Sequence, residues 1–237
     1  MTRLKTAAII AAAGKGRRFG GGVRKQFQLL SGKPVLAYSI ERLEETPLIG
    51  EIVLVVPEDS IDYCHREIVE RLGFKKITRI IPGGEERRHS VERGFNSIED
   101  EVDVVLVHDA VRPFITVRMI EGVIEEASRS GGATLAIPVK DTVKRASSEG
   151  YIETTIPRES LWLAQTPQAF RYDVLKRAYE KIEKDFILTD ESSLLERLGV
   201  RVKLVMGSEF NIKITKEEDL ILGELILKEG VLRRFRD

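Results

Sequence analysis

Cysteine is nearly absent from this chain and histidine is scarce: 237 residues hold one Cys and three His. A lone Cys64 excludes an internal disulfide and any cysteine cage for a metal, and it suits a reducing compartment. Flanked by Tyr63 and His65 at helical spacing, it is expected to pack. Excess charge is lacking too. Lys plus Arg and Asp plus Glu each number 38, so no general positive field can hold nucleic acid or an anionic membrane, and neither is expected as a partner. Long apolar runs are missing: the stretch from Ala7 to Ala13 ends in Gly14-Lys15-Gly16-Arg17-Arg18, too short and too charged at its end for a span or a secretory signal. A cytoplasmic protein is expected. With no internal repeat or low-complexity linker, the length fits one large α/β domain, residues 1–237, with an appendage.

What is present is an alternation. Continuous apolar runs at Thr6 to Ala13, Ile52 to Val56, Ile77 to Ile81, Val104 to His108 and Ala133 to Pro138 read as strands buried on both faces. Helical patterns near Val35 to Leu43, Ser60 to Leu72, Ser90 to Ile98 and Thr116 to Ser130 lie between them. Repeated βα units predict a Rossmann-like, mostly parallel sheet with helices on both faces and ligands at the strand C-termini. The alternation breaks after Pro138. Thr142 to Ala146 and Tyr151 to Ile156 flank Ser147-Ser148-Glu149-Gly150, which predicts a β-hairpin arm over 139–157. A lone hairpin is marginal in water, so the arm is expected to pack on a second chain. Helices around Tyr172 to Asp185 and Asp190 to Leu198, a strand at Arg201 to Met206 and a helix from Lys216 complete the pattern.

The first strand runs into Ala11-Ala12-Ala13-Gly14-Lys15-Gly16-Arg17-Arg18-Phe19-Gly20, where small residues let backbone N–H groups approach phosphate oxygens. Two familiar readings fail. Phe19 stands where the dinucleotide fingerprint needs its third glycine, and no Gly-Lys-Ser/Thr occurs, which excludes a P-loop. A triphosphate loop of another kind remains, with Arg18 and Lys25 placed to stabilise charge on transferring phosphates. A plain turn carrying solvated surface charge is the competing reading.

The residues Ala12-Ala13-Gly14-Lys15-Gly16-Arg17-Arg18 with Lys25-Gln26 resemble the signature of the 2-C-methyl-D-erythritol 4-phosphate cytidylyltransferases of non-mevalonate isoprenoid biosynthesis. Later stretches agree in order: Gly83-Gly84-Glu85-Glu86-Arg87 with Ser90, Val107-His108-Asp109-Ala110-Val111-Arg112-Pro113, and Pro138-Val139-Lys140-Asp141-Thr142. Thr166-Pro167-Gln168, Leu188-Thr189-Asp190-Glu191 and Asn211-Ile212-Lys213 complete seven ordered motifs over nearly the whole chain. The resemblance implies a CTP- and Mg²⁺-dependent nucleotidyltransferase, a homodimer through the arm, whose acceptor is a small polyol phosphate.

By the same resemblance, Ala12, Ala13, Gly14 and Gly16 cradle CTP, Gly83 and Gly84 meet the cytosine, and Ser90 supplies a hydroxyl to the nucleotide. Arg18, Lys25, Arg158 and Lys213 are the expected catalytic set. Asp109, Arg112, Thr142, Arg158, Thr166 and Lys213 are the expected acceptor contacts. Asp109 is the one protein candidate for Mg²⁺, which is expected to bind mainly through the CTP phosphates. Each has a plainer alternative: a turn and helix cap at Gly83, Gly84 and Ser90, a structural Asp109–Arg112 pair, strand and turn preference at Thr142 and Thr166. His108 is expected to be structural. A phosphate monoester has a second pKa of about 6, so the attacking oxygen is already anionic and needs no base. Ala11, Arg24, Glu85 and His89 depart from the family's usual residues. They leave room for ribitol 5-phosphate as the acceptor, while a non-catalytic nucleotide sensor is the more distant alternative.

Overall fold

The computed structural model describes residues 4–14, 22–99, 102–181 and 188–230. In chain order its elements are β1 (Thr6–Ala11), β2 (Leu29–Leu30), β3 (Lys33–Pro34), α1 (Val35–Glu45), β4 (Ile49–Val56) and α2 (Ile61–Tyr63). α2 runs on as a π-helical stretch, Cys64–Glu70. Then come β5 (Ile77–Pro82), α3 (Arg87–Asn96), β6 (Val104–Asp109), α4 (Val117–Ser130) and β7 (Gly132–Pro138). The arm is β8 (Val143–Ala146) and β9 (Ile152–Ile156), followed by β10 (Trp162–Arg171), α5 (Tyr172–Lys181), α6 (Ser192–Arg197), β11 (Lys203–Met206) and α7 (Glu217–Lys228).

Seven strands form one sheet in the order β11-β7-β10-β6-β1-β4-β5. All neighbours are parallel except β10, which runs antiparallel to both β6 and β7. Strand side chains alternate between faces, and both faces of β1 are covered. Ala8 and Ile10 pack with Leu36 and Ile40 of α1 and Ile120 and Ile124 of α4. Ala7 and Ile9 pack with Val91 and Phe95 of α3, Leu175 of α5 and Leu195 of α6. This double coverage explains why the strands read as unbroken apolar runs. Cys64 packs in the first of these cores, and burial pushes its thiol up to about 12.

Local signals set the boundaries where they are strong. Thr116 caps α4 by accepting from the Met119 N–H, and Gly131, at φ 94°, ends it in the left-handed region. β10 is the strand that sequence patterning misses, because Pro167 in a central strand argues against the assignment. The ladder with β7 is irregular between Ala164 and Gln168, and the proline sits in that gap. The hairpin stands as expected, with Val143 opposite Ile156, and its Tyr151 and Ile152 are exposed.

Two helical glycines test the packing with opposite signs. A Cβ on Gly94 of α3 would come within 2.7 Å of Ile9 Cγ2, whereas one on Gly122 of α4 would make ordinary contact, 3.7 Å from Val205 Cγ1. Gly94→Ala should destabilise by about 1–3 kcal/mol through overpacking. Gly122→Ala should stabilise by up to about 1 kcal/mol through helix propensity. Urea unfolding midpoints that move the same way in both variants would contradict this packing.

Candidate active site

β1 lies between β6 and β4, so the chain builds outward on one side of it and then returns to the other. Such a switch point opens a crevice beyond the strand C-termini. Ala11 of β1 stands beside Asp109 of β6, and the Ala12 N–H donates to Val55 O at 2.8 Å, carrying the β1 backbone past its strand into the crevice. The result is a cleft of about 210 Å³ whose walls include Ala13, Gly14, Lys25, Gly84, Ser90 and Lys213. Gly83 needs its missing side chain: a Cβ there would overlap Ala13 and lie 2.8 Å from Ser90 Oγ. The buried Ser90 hydroxyl accepts from the Gly84 N–H and donates to Glu86 O, both at 3.1 Å, and so fixes the glycine turn at the start of α3.

Four charges of alternating sign form a chain in which Lys213, Asp109 and Arg87 line the cleft and Glu191 is buried behind them. Arg87, the first residue of α3, donates Nε–H to Asp109 Oδ1 at 2.9 Å and reaches both oxygens of Glu191 at 2.9 Å through its NH1 group. Lys213 Nζ donates to Asp109 Oδ2 at 2.7 Å. Burial by itself would raise the Asp109 pKa, but Arg87 and Lys213 overcome it and hold the carboxyl far below the usual range. Glu191 is wholly buried with Arg87 as its cation; burial outweighs that one partner and raises its pKa. The carboxylates at the two ends of one guanidinium are thus pushed in opposite directions.

Behind this wall lies a polar layer. His108 is fully buried; its Nδ1 lies 3.2 Å from Thr166 Oγ1 and its Nε2 3.2 Å from Arg112 O. Thr166 also accepts the Asp109 N–H at 3.0 Å. Arg112 donates to Asn211 O at 2.8 Å, so Asp109 is paired with Arg87 and Lys213, and the structural Asp109–Arg112 pair weighed from sequence is not formed. Asn211 Nδ2 in turn donates to Thr166 O and Gln165 Oε1.

The structure therefore gathers Ala12, Ala13, Gly14, Lys25, Gly84, Ser90, Asp109 and Lys213 around one cleft. Gly16 and Arg18 lie outside the described residues. Thr142 and Arg158 are exposed near the arm, where Arg158 donates to Lys140 O, away from that cleft on their own chain. Arg87 and Glu191 were quoted in motifs but given no role; 104 residues separate them, and no local spacing announces their pairing. Among the described residues no three His, Cys, Asp or Glu side chains cluster to hold a metal. Asp109 is nevertheless a carboxylate on the cleft wall, and a carboxylate plus substrate phosphates is an ordinary donor set for Mg²⁺.

The sequence profile of the 2-C-methyl-D-erythritol 4-phosphate cytidylyltransferases matches residues 6–229. The chain belongs to that family. A cytidylyltransferase of this name from Geobacter metallireducens is 46% identical over 226 residues, covering 94% of this chain and 97% of that one. One from Geotalea uraniireducens is 44% identical over 228 residues, covering 95% and 97%. Among solved structures, the 4-diphosphocytidyl-2C-methyl-D-erythritol synthase of Anaerococcus prevotii superposes with a TM-score of 0.82 at 30% identity, covering 95% of this chain and 96% of that one. Family membership accounts for the order of the seven motifs, and the fold places six of them on the cleft or in the layer behind it, all but the stretch Pro138 to Thr142.

The buried imidazole makes one pH effect calculable. Burial lowers His108 from 6.5 to about 4, so the folded chain stays unprotonated while the unfolded chain takes up a proton as pH falls through 6.5. Stability should therefore decline between pH 6.5 and 4, by about 3 kcal/mol in full. Asp109, with its lowered pKa, adds its own loss only below about pH 4. Urea unfolding at pH 7 and pH 5 should show a smaller difference in His108→Gln than in wild type. Equal differences would remove His108 as the cause.

Proposed function

We propose that the chain transfers a cytidylyl group from CTP to 2-C-methyl-D-erythritol 4-phosphate, releasing pyrophosphate and supplying the non-mevalonate route to isoprenoid precursors. The observation that carries this reading is the family match over 6–229 joined to a cleft where bare backbone, Lys25 and the Asp109–Lys213 pair meet. An oxygen of the acceptor phosphate attacks the α-phosphorus of CTP; the new O–P bond forms as the bond to the β-phosphate oxygen breaks, and pyrophosphate leaves. Lys25 and Arg18 offset the charge that grows on the α-phosphate. Lys213 and Arg112 receive the acceptor, and the His108 imidazole, buried and neutral, takes no part in proton transfer. Asp109 would help hold Mg²⁺ together with the CTP phosphates; when bound, that ion supplies neutralisation of the triphosphate charge.

The exposed arm supports a further part of the reading. Tyr151 and Ile152 are 72% and 66% exposed on a hairpin that cannot cover both its faces. A two-fold dimer would cover them and carry Thr142 and Arg158 to the neighbouring cleft. The protein then works as a cytoplasmic homodimer; no helix among the described residues is long and apolar enough to cross a membrane.

Pyrophosphate release should be measured with CTP, UTP, ATP and GTP against both methylerythritol phosphate and ribitol 5-phosphate. Activity is expected with CTP and the first acceptor; preference for ribitol 5-phosphate, or no turnover at all, would overturn the assignment. In the active combination, Lys25→Ala should lower kcat by about 10²–10³-fold. A change confined to KM would remove Lys25 from the transition state.

Shared sites have their own test. Mixed Lys25→Ala and Arg158→Ala chains, allowed to exchange subunits, form half mixed dimers with one intact site each, so roughly a quarter of wild-type activity should return. No recovery despite verified exchange would place Arg158 in its own subunit's site.

A further inference from the structure

Lys25 and Gln26 occupy one 3₁₀ turn, Lys25–Phe27, but only Lys25 enters the reading above. Gln26 is 1% exposed, and its amide nitrogen donates to Ala12 O at 2.6 Å and Gly14 O at 3.3 Å. Both partners are carbonyl oxygens, so the nitrogen must face them, and the amide oxygen is left buried without a partner. A buried acceptor with no protein partner among the described residues calls for an explanation.

We infer that Gln26 is a positioning residue that latches the backbone of Ala12 and Gly14 to the turn bearing Lys25, setting that backbone and the lysine in register for the triphosphate. The geometry is specific. One side chain ties Ala12 and Gly14 to residue 26, 14 and 12 positions further along the chain. With the Ala12 and Gly14 carbonyls turned to Gln26, all three residues line the same cleft as Lys25. Gln26 thereby acts on the reacting phosphate through Lys25 and the loop, and misplacement of such groups by about 1 Å can cost 10²-fold in rate. This inference rests on the cytidylyltransferase reading but assigns a residue that reading does not use.

The test is Gln26→Met, of similar length and without the amide, measured beside Lys25→Ala and the double variant. Expected are a kcat per folded molecule lowered about tenfold or more, a raised KM for CTP and an unchanged KM for the acceptor. The loss should also be smaller in the Lys25→Ala background than in wild type, because the two act as one unit. Should Gln26→Met fail to fold, Gln26→Asn withdraws the amide by one methylene and gives the same readout. Wild-type kcat and KM for CTP in the folded variant would overturn the latch, as would a loss fully additive with Lys25→Ala. Inactive wild-type enzyme would instead defeat the cytidylyltransferase reading, a result separable from either.

Discussion

Arg87 is the cation on which the cleft wall depends. Its guanidinium lies between a nearly buried Asp109 and a fully buried Glu191, and no other described side chain bridges that pair. Taking two carboxylates out of water is costly, and breaking a buried ion pair by removing one member costs more than a surface pair would, about 3–5 kcal/mol. The planar fork explains why arginine stands there. A lysine ammonium is a point charge, whereas Arg87 uses Nε for one carboxylate and NH1 for the other, holding their directions as well as their charge. Lys213 then meets Asp109 from the opposite side, leaving its ammonium 2.7 Å from a fixed oxygen and its side chain 38% exposed to the cleft.

The same wall joins distant parts of the chain. Arg87 opens α3, Asp109 ends β6, Glu191 precedes α6, and Lys213 sits in the segment that docks on the turn after β6 through the Ile214 N–H and Val111 O. Behind it, Gln168 donates to both Thr134 and Asp190, so the α6 end of the charge chain is tied back to β7 and β10. The polar layer is thus a continuation of the sheet, and the ionic wall is anchored to the sheet through Asp109 at the end of β6.

Much of the fold was readable because its physics is local. The parallel core strands announced themselves as apolar runs and α4 as a helical pattern near Thr116 to Ser130, whose cap and glycine stop the structure then shows; the hairpin was marked by its polar tip. β10 was hidden because Pro167 looks like a strand breaker and its antiparallel direction has no βα signature. At the site, backbone-approach positions such as Gly83 and Gly84 were visible as glycines at a strand end. The partners of Asp109 were not: sequence adjacency suggested Arg112, while the fold brings Arg87 and Lys213 from 22 and 104 positions away. The Ser90 hydroxyl makes the local turn bonds that were the plainer alternative there, whereas Thr166 accepts from the Asp109 N–H, 57 positions away, a use that only three-dimensional proximity reveals.

The late antiparallel strand has a consequence for how the protein is made. β1, β4, β5 and β6 can associate from the first half of the chain, but β10 must slot between β6 and β7, and Glu191 and Lys213 are synthesised later still. A ribosome-bound or truncated chain ending before them leaves Asp109 and Arg87 without their full complement of opposite charges, in a site that is both unstable and incapable of holding its lysine. Non-local pairing of this kind slows folding. It also ties completion of the ionic wall to synthesis through Lys213: a chain stopped before that residue cannot present all four charges.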